Sequence, residues 1–183
     1  LEGINYTLSD EVVSAIEWKR FEYLCHRILQ TSGFNCKLTG NGADSGVDIR
    51  VYDKDDPKKV TYLVQCKKWN SKSKVDRPII QQLRGQMAAE NAEKGAFCIT
   101  SSFTVPARRF AHQNNIELFD QKAILKAFNK FDLPDRKEIL HNLLTGDYWT
   151  PSCARCNEKM KFFEIKNGSQ VWGCPNFRKH GYS

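Results

Sequence analysis

Val47-Asp48-Ile49-Arg50-Val51 and, after a polar break, Val60-Thr61-Tyr62-Leu63-Val64-Gln65-Cys66-Lys67 carry the architecture of this chain. In the first stretch Val47, Ile49 and Val51 alternate with Asp48 and Arg50. In the second, Val60, Tyr62, Val64 and Cys66 alternate with Thr61, Leu63, Gln65 and Lys67. A period of two marks a strand, because successive side chains leave it on opposite faces. Asp53-Lys54-Asp55-Asp56-Pro57 between them has the chemistry of a tight turn, so the pair reads as an antiparallel hairpin. The alternation puts Asp48 on the face opposite Val47 and Ile49. It puts Gln65 and Lys67 together on one face of the next strand.

Working outward, Ser14 and Glu17 have capping-box spacing, and Phe21, Leu24, Cys25 and Ile28 recur at helical intervals before Gly33. The expected helix covers about residues 14–31, and a short strand follows over Phe34 to Leu38. After Pro78, Ile79, Ile80, Leu83 and Met87 read as a helix that ends before Gly95. Ala96 to Thr100 reads as a buried strand, Thr104 as the cap of a helix through about Gln113, Ile116 to Phe119 as a strand and Ala123 to Phe128 as a helix. This order implies an α/β fold with a mixed sheet flanked by helices. The expected division is a body over residues 1–133, a helical or irregular connector over 134–150 and a small appended unit over 151–183.

The chain has 183 residues and a formal net charge of +7, with 40% hydrophobic and 27% charged residues, the composition of a folded protein rather than a disordered one. No apolar run is long enough to span a bilayer and no signal peptide is recognisable, so a cytoplasmic protein without membrane contact in this chain is expected. The sequence opens on Leu1 rather than Met, which fits a segment of a longer protein. The positive charge is uneven. Arg155, Lys159, Lys161, Lys166, Arg178 and Lys179 face only Glu158 and Glu164 in residues 151–183, a density that suits a polyanionic partner or, equally, a soluble surface. The 7 cysteines, an odd number, do not suggest a disulfide framework. Cys25, Cys36, Cys66 and Cys98 are scattered among apolar neighbours and read as small core residues.

Cys153, Cys156 and Cys174 are different. Cys153 and Cys156 flank two residues, a spacing that brings two thiolates onto one ion. Cys174 and His180 follow far enough along to complete a tetrahedron. A segment of this size has too little core to fold alone, and a Zn2+ ion supplies the missing constraint. His180 is the only His or Cys downstream of Cys174, and it is either the fourth ligand or a bystander to the site. Cys153-Ala154-Arg155-Cys156, Met160 and Val171-Trp172-Gly173-Cys174-Pro175 resemble the zinc-ribbon repeats at the C-terminus of bacterial type I topoisomerases, although that family ordinarily ends on a fourth cysteine. The resemblance implies nucleic-acid binding, including single strands. Phe163, Trp172, Phe177 and Tyr182 among basic side chains such as Arg178 then offer stacking faces, or else form the ribbon's minimal core.

An Asp on one strand, with Gln and Lys on its neighbour, is also a constellation for metal-assisted phosphodiester hydrolysis. A carboxylate binds a hard cation and a lysine orients or activates water. By spacing alone a hairpin with a polar outer face explains Asp48, Gln65 and Lys67 better. The context changes that reading. Thr39-Gly40-Asn41-Gly42-Ala43-Asp44-Ser45-Gly46-Val47-Asp48-Ile49, Phe21-Glu22, Gln65-Cys66-Lys67 and Ile99-Thr100-Ser101-Ser102-Phe103-Thr104 resemble, in order, the motifs of the Mrr-type restriction endonuclease family.

The resemblance runs from about Trp18 to Leu125. It implies the PD-(D/E)xK nuclease fold in its Gln-containing variant. By position it assigns Mg2+ (or Mn2+) to Glu22, Asp48, Gln65 and the main-chain carbonyl of Cys66, with Lys67 as catalytic lysine. Ser45 replaces the glycine common at that position. Asp44, Gly40, Gly42 and Gly46 read most simply as turn residues. Lys68, Lys72 and Lys74 are either a solvated loop or phosphate contacts. The resemblance thus implies a DNA endonuclease of a restriction or anti-phage defence system. DNA is its partner, duplex and also single-stranded, a homodimer is compatible, and so is a sensor or membrane anchor outside this chain. The rival readings are a catalytically inactive DNA-binding module, which the intact Glu22, Asp48, Gln65 and Lys67 disfavour, and a structure-selective or RNA-directed nuclease.

Overall fold

The computed structural model describes residues 6–40, 46–70, 72–165 and 168–180. In order, α1 (Asp10–Ala15) and α2 (Trp18–Thr31) precede β1 (Cys36–Leu38), β2 (Ile49–Tyr52) and β3 (Val60–Lys67). Then come β4 (Lys74–Val75), α3 (Arg77–Ala89), β5 (Lys94–Ile99), β6 (Ser102–Phe103), α4 (Val105–Gln113), β7 (Ile116–Phe119), α5 (Gln121–Phe128) and α6 (Leu133–Leu144). The last part holds β8 (Lys161–Glu164), β9 (Gln170–Gly173) and a 3-10 turn, Phe177–His180. The main sheet has the order β1-β2-β3-β5-β7. β1, β2 and β3 pair antiparallel, while β3, β5 and β7 pair parallel. That is the mixed sheet expected from the sequence.

Each face of the sheet has its own core. On one, Ile49, Val51, Val64, Cys66, Ala96 and Cys98 pack under α2, α5 and α6. On the other, Val47, Leu63, Phe97 and Ile99 pack under Ile80, Leu83 and Met87 of α3 and Ala107 and Ala111 of α4. Full burial of a side chain such as Leu63 or Phe97 is worth about 2 kcal/mol. Asp76 and Thr104 cap α3 and α4, and the Thr104 hydroxyl donates to Asp76 Oδ1 at 2.8 Å, tying the two helix starts together. Among the described residues no helix is long and apolar enough to cross a membrane.

Several local expectations differ from the structure. The expected helix over residues 14–31 is two helices, because Ile16 is extended (φ −69°, ψ 148°) and ends α1. Ser9, not Ser14, caps α1. Glu17 stands at the N-cap of α2 without capping it; its buried carboxylate instead accepts from Ser152 N (2.6 Å), Ser152 Oγ (3.0 Å) and Lys159 Nζ (2.6 Å). A buried carboxylate needs charged or N–H partners, and the tail supplies them. The Trp18 indole adds a hydrogen bond to Ser152 O at 2.9 Å. Val47 and Ile49 do not share a face: regular β2 begins only at Ile49, after Gly46 at φ +87°, so Val47 turns into the other core. Within residues 134–150, α6 is a core helix rather than a spacer, with Ile139, Leu140 and Leu143 buried beside α2. The short pair β4–β6 had no sequence signal.

Candidate active site and metal centre

The antiparallel step from β2 to β3 continues one residue beyond the strand. Asp48 N donates to Val64 O at 2.9 Å, and Cys66 N donates to Asp48 Oδ2 at 2.6 Å. The Asp48 side chain is thereby held against the end of β3. Thr39 braces the turn on the other side, its N–H bonded to Asp48 O (2.9 Å) and its hydroxyl to Val47 O (2.7 Å). Thr100 fastens the exit of β3: its N–H donates to Lys67 O (3.2 Å), and its hydroxyl both accepts from Trp69 N (2.8 Å) and donates to Trp69 O (2.7 Å). Glu22 comes in from α2.

Glu22, Asp48, Cys66 and Lys67 line one open cavity of about 470 Å³, with Trp18 and Lys68 on its wall. The two carboxyl groups are close enough for the charge of Asp48 to act on Glu22. Burial, followed by the Asp48 charge, raises Glu22 to about 8, against the pull of Lys67 and Lys19. Burial raises Asp48 to about 6, although the Cys66 N–H and Lys67 favour its charged form. Two half-buried carboxyls that repel one another, with a lysine beside them, form a donor set of hard oxygens that a divalent cation fits.

Gln65 lies behind this surface, only 4% exposed, and its Nε2 is 2.7 Å from where a Cβ on Gly46 would stand. Gly46 also has φ +87°, which disfavours any side chain. Gly46→Ala is therefore expected to displace the Gln65 amide, with a loss of roughly 1–2 kcal/mol in stability. Thermal melts of the variant against the parent check this.

Lys68 donates to Ser14 O at 3.0 Å, and burial lowers its pKa, while Lys72 and Lys74 are exposed. Asp44, Ser45, Gly42 and Tyr182 lie outside the described residues. Thr39 and Thr100 carried an available signal, since each sits within a quoted motif. Glu17 reads locally as half of a capping box, and its hold on the tail has no local signal because its partner Ser152 comes from 135 residues away.

In the tail, one ligand atom each from Cys153, Cys156, Cys174 and His180 lie within 4.8 Å of one another. Cys156 Sγ and Cys174 Sγ are 3.5 Å apart, and Cys174 Sγ is 3.8 Å from His180 Nε2. The N–H groups of Cys156 and Arg155 lower the Cys153 thiol to about 7, favouring the thiolate that binds metal. Asn176 N donates to Cys174 Sγ at 3.3 Å. These donors fit tetrahedral Zn2+. The β8–β9 hairpin above them is open: Phe163 is 41% and Trp172 38% exposed, and Arg178 is also exposed. Ala154 of this unit reaches the wall of the carboxylate cavity.

A five-stranded mixed sheet with a carboxylate from a helix, another just ahead of a strand and a lysine on one cavity defines a restriction-endonuclease-like domain. The family model Mrr_cat, described as restriction endonuclease, matches residues 13–128, and the chain belongs to that family. It is 32% identical over 120 residues to the type IV methyl-directed restriction enzyme EcoKMrr of Escherichia coli (strain K12), a match covering 61% of this chain and 38% of that protein. It is 27% identical over 96 residues to the uncharacterized protein y4cE of Sinorhizobium fredii (strain NBRC 101917 / NGR234), covering 52% of this chain and 25% of the relative. The chain thus spans well under half the length of these curated relatives.

Two solved structures share the fold. The MspJI restriction endonuclease in complex with a 27-mer oligonucleotide has a TM-score of 0.51 at 19% identity, covering 74% of this chain and 34% of that one. The DNA modification-dependent restriction endonuclease AspBHI has a TM-score of 0.53 at 13% identity, covering 75% and 40%.

Proposed function

We propose that this chain is a Mg2+-dependent endodeoxyribonuclease, the effector part of a restriction or anti-phage defence protein, with a zinc ribbon that helps hold DNA. The observation that carries this reading is the meeting of Glu22, Asp48 and Lys67 on one open cavity, with the two carboxyl groups pushed up against each other. Glu22, Asp48 and the Cys66 carbonyl would hold Mg2+ or Mn2+, with the Gln65 amide, which sits behind the cavity wall, completing the set from there. Such an ion supplies polarisation of the phosphate and neutralisation of the leaving oxygen. Lys67 orients the attacking water and balances charge on the phosphoryl oxygens. Lys68, Lys72 and Lys74 extend a cationic track for the duplex backbone. On the ribbon, Phe163 and Trp172 offer faces for unpaired bases and Arg178 a phosphate contact. One such centre cuts one strand, so a double-strand break calls for two copies, and a homodimer belongs to this reading.

The charge state of the pair makes cation binding pH-dependent. Glu22 has its folded pKa raised, so its contribution to stability is complete below about 4.5 and is lost as pH rises through about 8. A divalent cation takes the deprotonated form and reverses that loss. The rise in Tm caused by added Mg2+ should therefore grow between about pH 6 and pH 8, the range the two carboxyls span. A rise in Tm that is flat across this range removes the pair from the cation site. The function itself is tested by nicking of methylated and unmethylated plasmid with and without Mg2+. EDTA-sensitive cleavage is expected, and DNA binding without cleavage would leave a non-catalytic docking module.

A further inference from the structure

Cys25, Cys66 and Cys98 come from three different elements yet meet in the core. Cys66 and Cys98 are register partners across the parallel β3–β5 ladder, so their side chains stand side by side on one face. α2 lays Cys25 over them, and the three sulfurs all lie within 4.8 Å of one another. Exposures of 4%, 4% and 7% put the cluster inside the protein, and none of the three is in a disulfide. The surroundings are apolar, with Val64, Ala96 and Ile124 in the same core. A cavity of about 320 Å³ lined by Cys25 and Cys98, with Leu29, Tyr62 and Phe119, gives a way in.

We propose that Cys25, Cys66 and Cys98 form a three-coordinate site for a soft, thiophilic monovalent cation of the Cu(I) type, remote from the ribbon and back to back with the carboxylate cavity, which Cys66 also lines. The donor set decides the class. Zn2+ in a closed site takes four ligands, and among the described residues no fourth His, Cys, Asp or Glu joins this group. Three sulfurs without any oxygen donor select a soft ion over Mg2+ or Ca2+. Sulfur binds metal as thiolate, so uptake of the ion releases the thiol protons and changes no oxidation state. With metal–sulfur bonds of about 2.3 Å, a trigonal site needs sulfurs about 4 Å apart, within reach of the spacing seen.

The site also has mechanical connections. Cys66 N–H is the group that holds Asp48 Oδ2, and Cys25 lies one helical turn beyond Glu22 on α2. An ion at the sulfurs would therefore clamp α2, β3 and β5 together directly behind the carboxylate pair.

The experiment is an anaerobic titration of the zinc-loaded full chain with Cu(I) held by the chromophoric chelator bicinchoninate, with released zinc measured in parallel. One Cu(I) per chain should be taken up without zinc release. X-ray absorption should show three sulfur neighbours. Cys25→Ala and Cys98→Ala should each lower the affinity at least ~100-fold, and Cys153→Ser/Cys174→Ser should keep it. Failure of the parent to compete with the chelator, stoichiometric zinc release, or a nitrogen-containing or four-sulfur shell would each overturn the site. So would unchanged affinity in the folded alanine variants. The absorption measurement needs only the parent, so the result stands even where an alanine variant does not fold.

Discussion

Asp48→Asn is expected to reduce DNA cleavage by at least ~10³-fold while raising, not lowering, the Tm of the metal-free protein at pH 7–8. The asparagine side chain keeps an oxygen to accept the 2.6 Å hydrogen bond from Cys66 N, so the end of β3 loses no partner. What disappears is the negative charge that, after burial itself, holds Glu22 at about 8. In the parent, ionising Glu22 next to Asp48 works against the fold, and this opposition grows as pH rises from about 4.5 towards 8. Without the Asp48 charge the Glu22 pKa falls and the opposition shrinks. The gain in Tm should therefore be largest near pH 8, about 3 °C for each kcal/mol of relief, and should vanish towards pH 4.5. Mg2+ should no longer raise the Tm of this variant. A variant that cleaves DNA like its parent would move the catalytic centre elsewhere. One that is inactive but destabilised at every pH would show that Asp48 serves the fold rather than the ion.

Cys174→Ser should release the proposed zinc ion and unfold residues 151–183 while the body stays folded. The ribbon has little else to hold it: Phe162, Phe163, Val171 and Trp172 on β8 and β9 are all exposed, and one contact between the Phe162 and Trp172 rings, with centroids 3.7 Å apart, substitutes for a core. A structural zinc site of this kind contributes about 10 kcal/mol or more, far beyond what one ring contact supplies. Elemental analysis should find one zinc per parent chain and none in the variant. DNA affinity should fall and its salt dependence become shallower, because a segment rich in lysine and arginine no longer tracks the backbone.

Two consequences of that variant follow from tertiary contacts alone. Glu17 would lose Ser152 and Lys159 and become hydrated, costing the body about 2 kcal/mol. Ala154 would leave the wall of the carboxylate cavity, so the cleavage rate at saturating DNA should drop a few-fold rather than vanish, since Glu22, Asp48 and Lys67 all come from the body. Unchanged DNA affinity in the unfolded-tail variant would reduce the ribbon to a structural cover.

The strand alternation leading to Lys67, the cap at Thr104, and the Cys153/Cys156/Cys174 spacing were legible in the sequence. Each is a local rule: a period of two, a side-chain oxygen before a helix, ligands a fixed number of residues apart. Local rules therefore pointed to the mixed sheet and to the cysteine donors of the tail, while the carboxylates and the lysine stood out only through the family resemblance. They failed where the partner is remote. Ser14 and Glu17 match a capping box, but a buried carboxylate is governed by whatever reaches it, and here Ser152 and Lys159 do. Residues 134–150 have a weak apolar pattern, yet α6 completes the core beside α2, a surface no local window contains. Cys25, Cys66 and Cys98 read as isolated small core residues because a helix and two parallel strands had to fold before three sulfurs became neighbours. Sequence alone determined which chemical groups this protein possesses and in what local geometry. Only the tertiary structure decided which of them share a cavity, because burial and charge–charge distance, the quantities that raise Glu22 and Asp48, exist only between segments brought together.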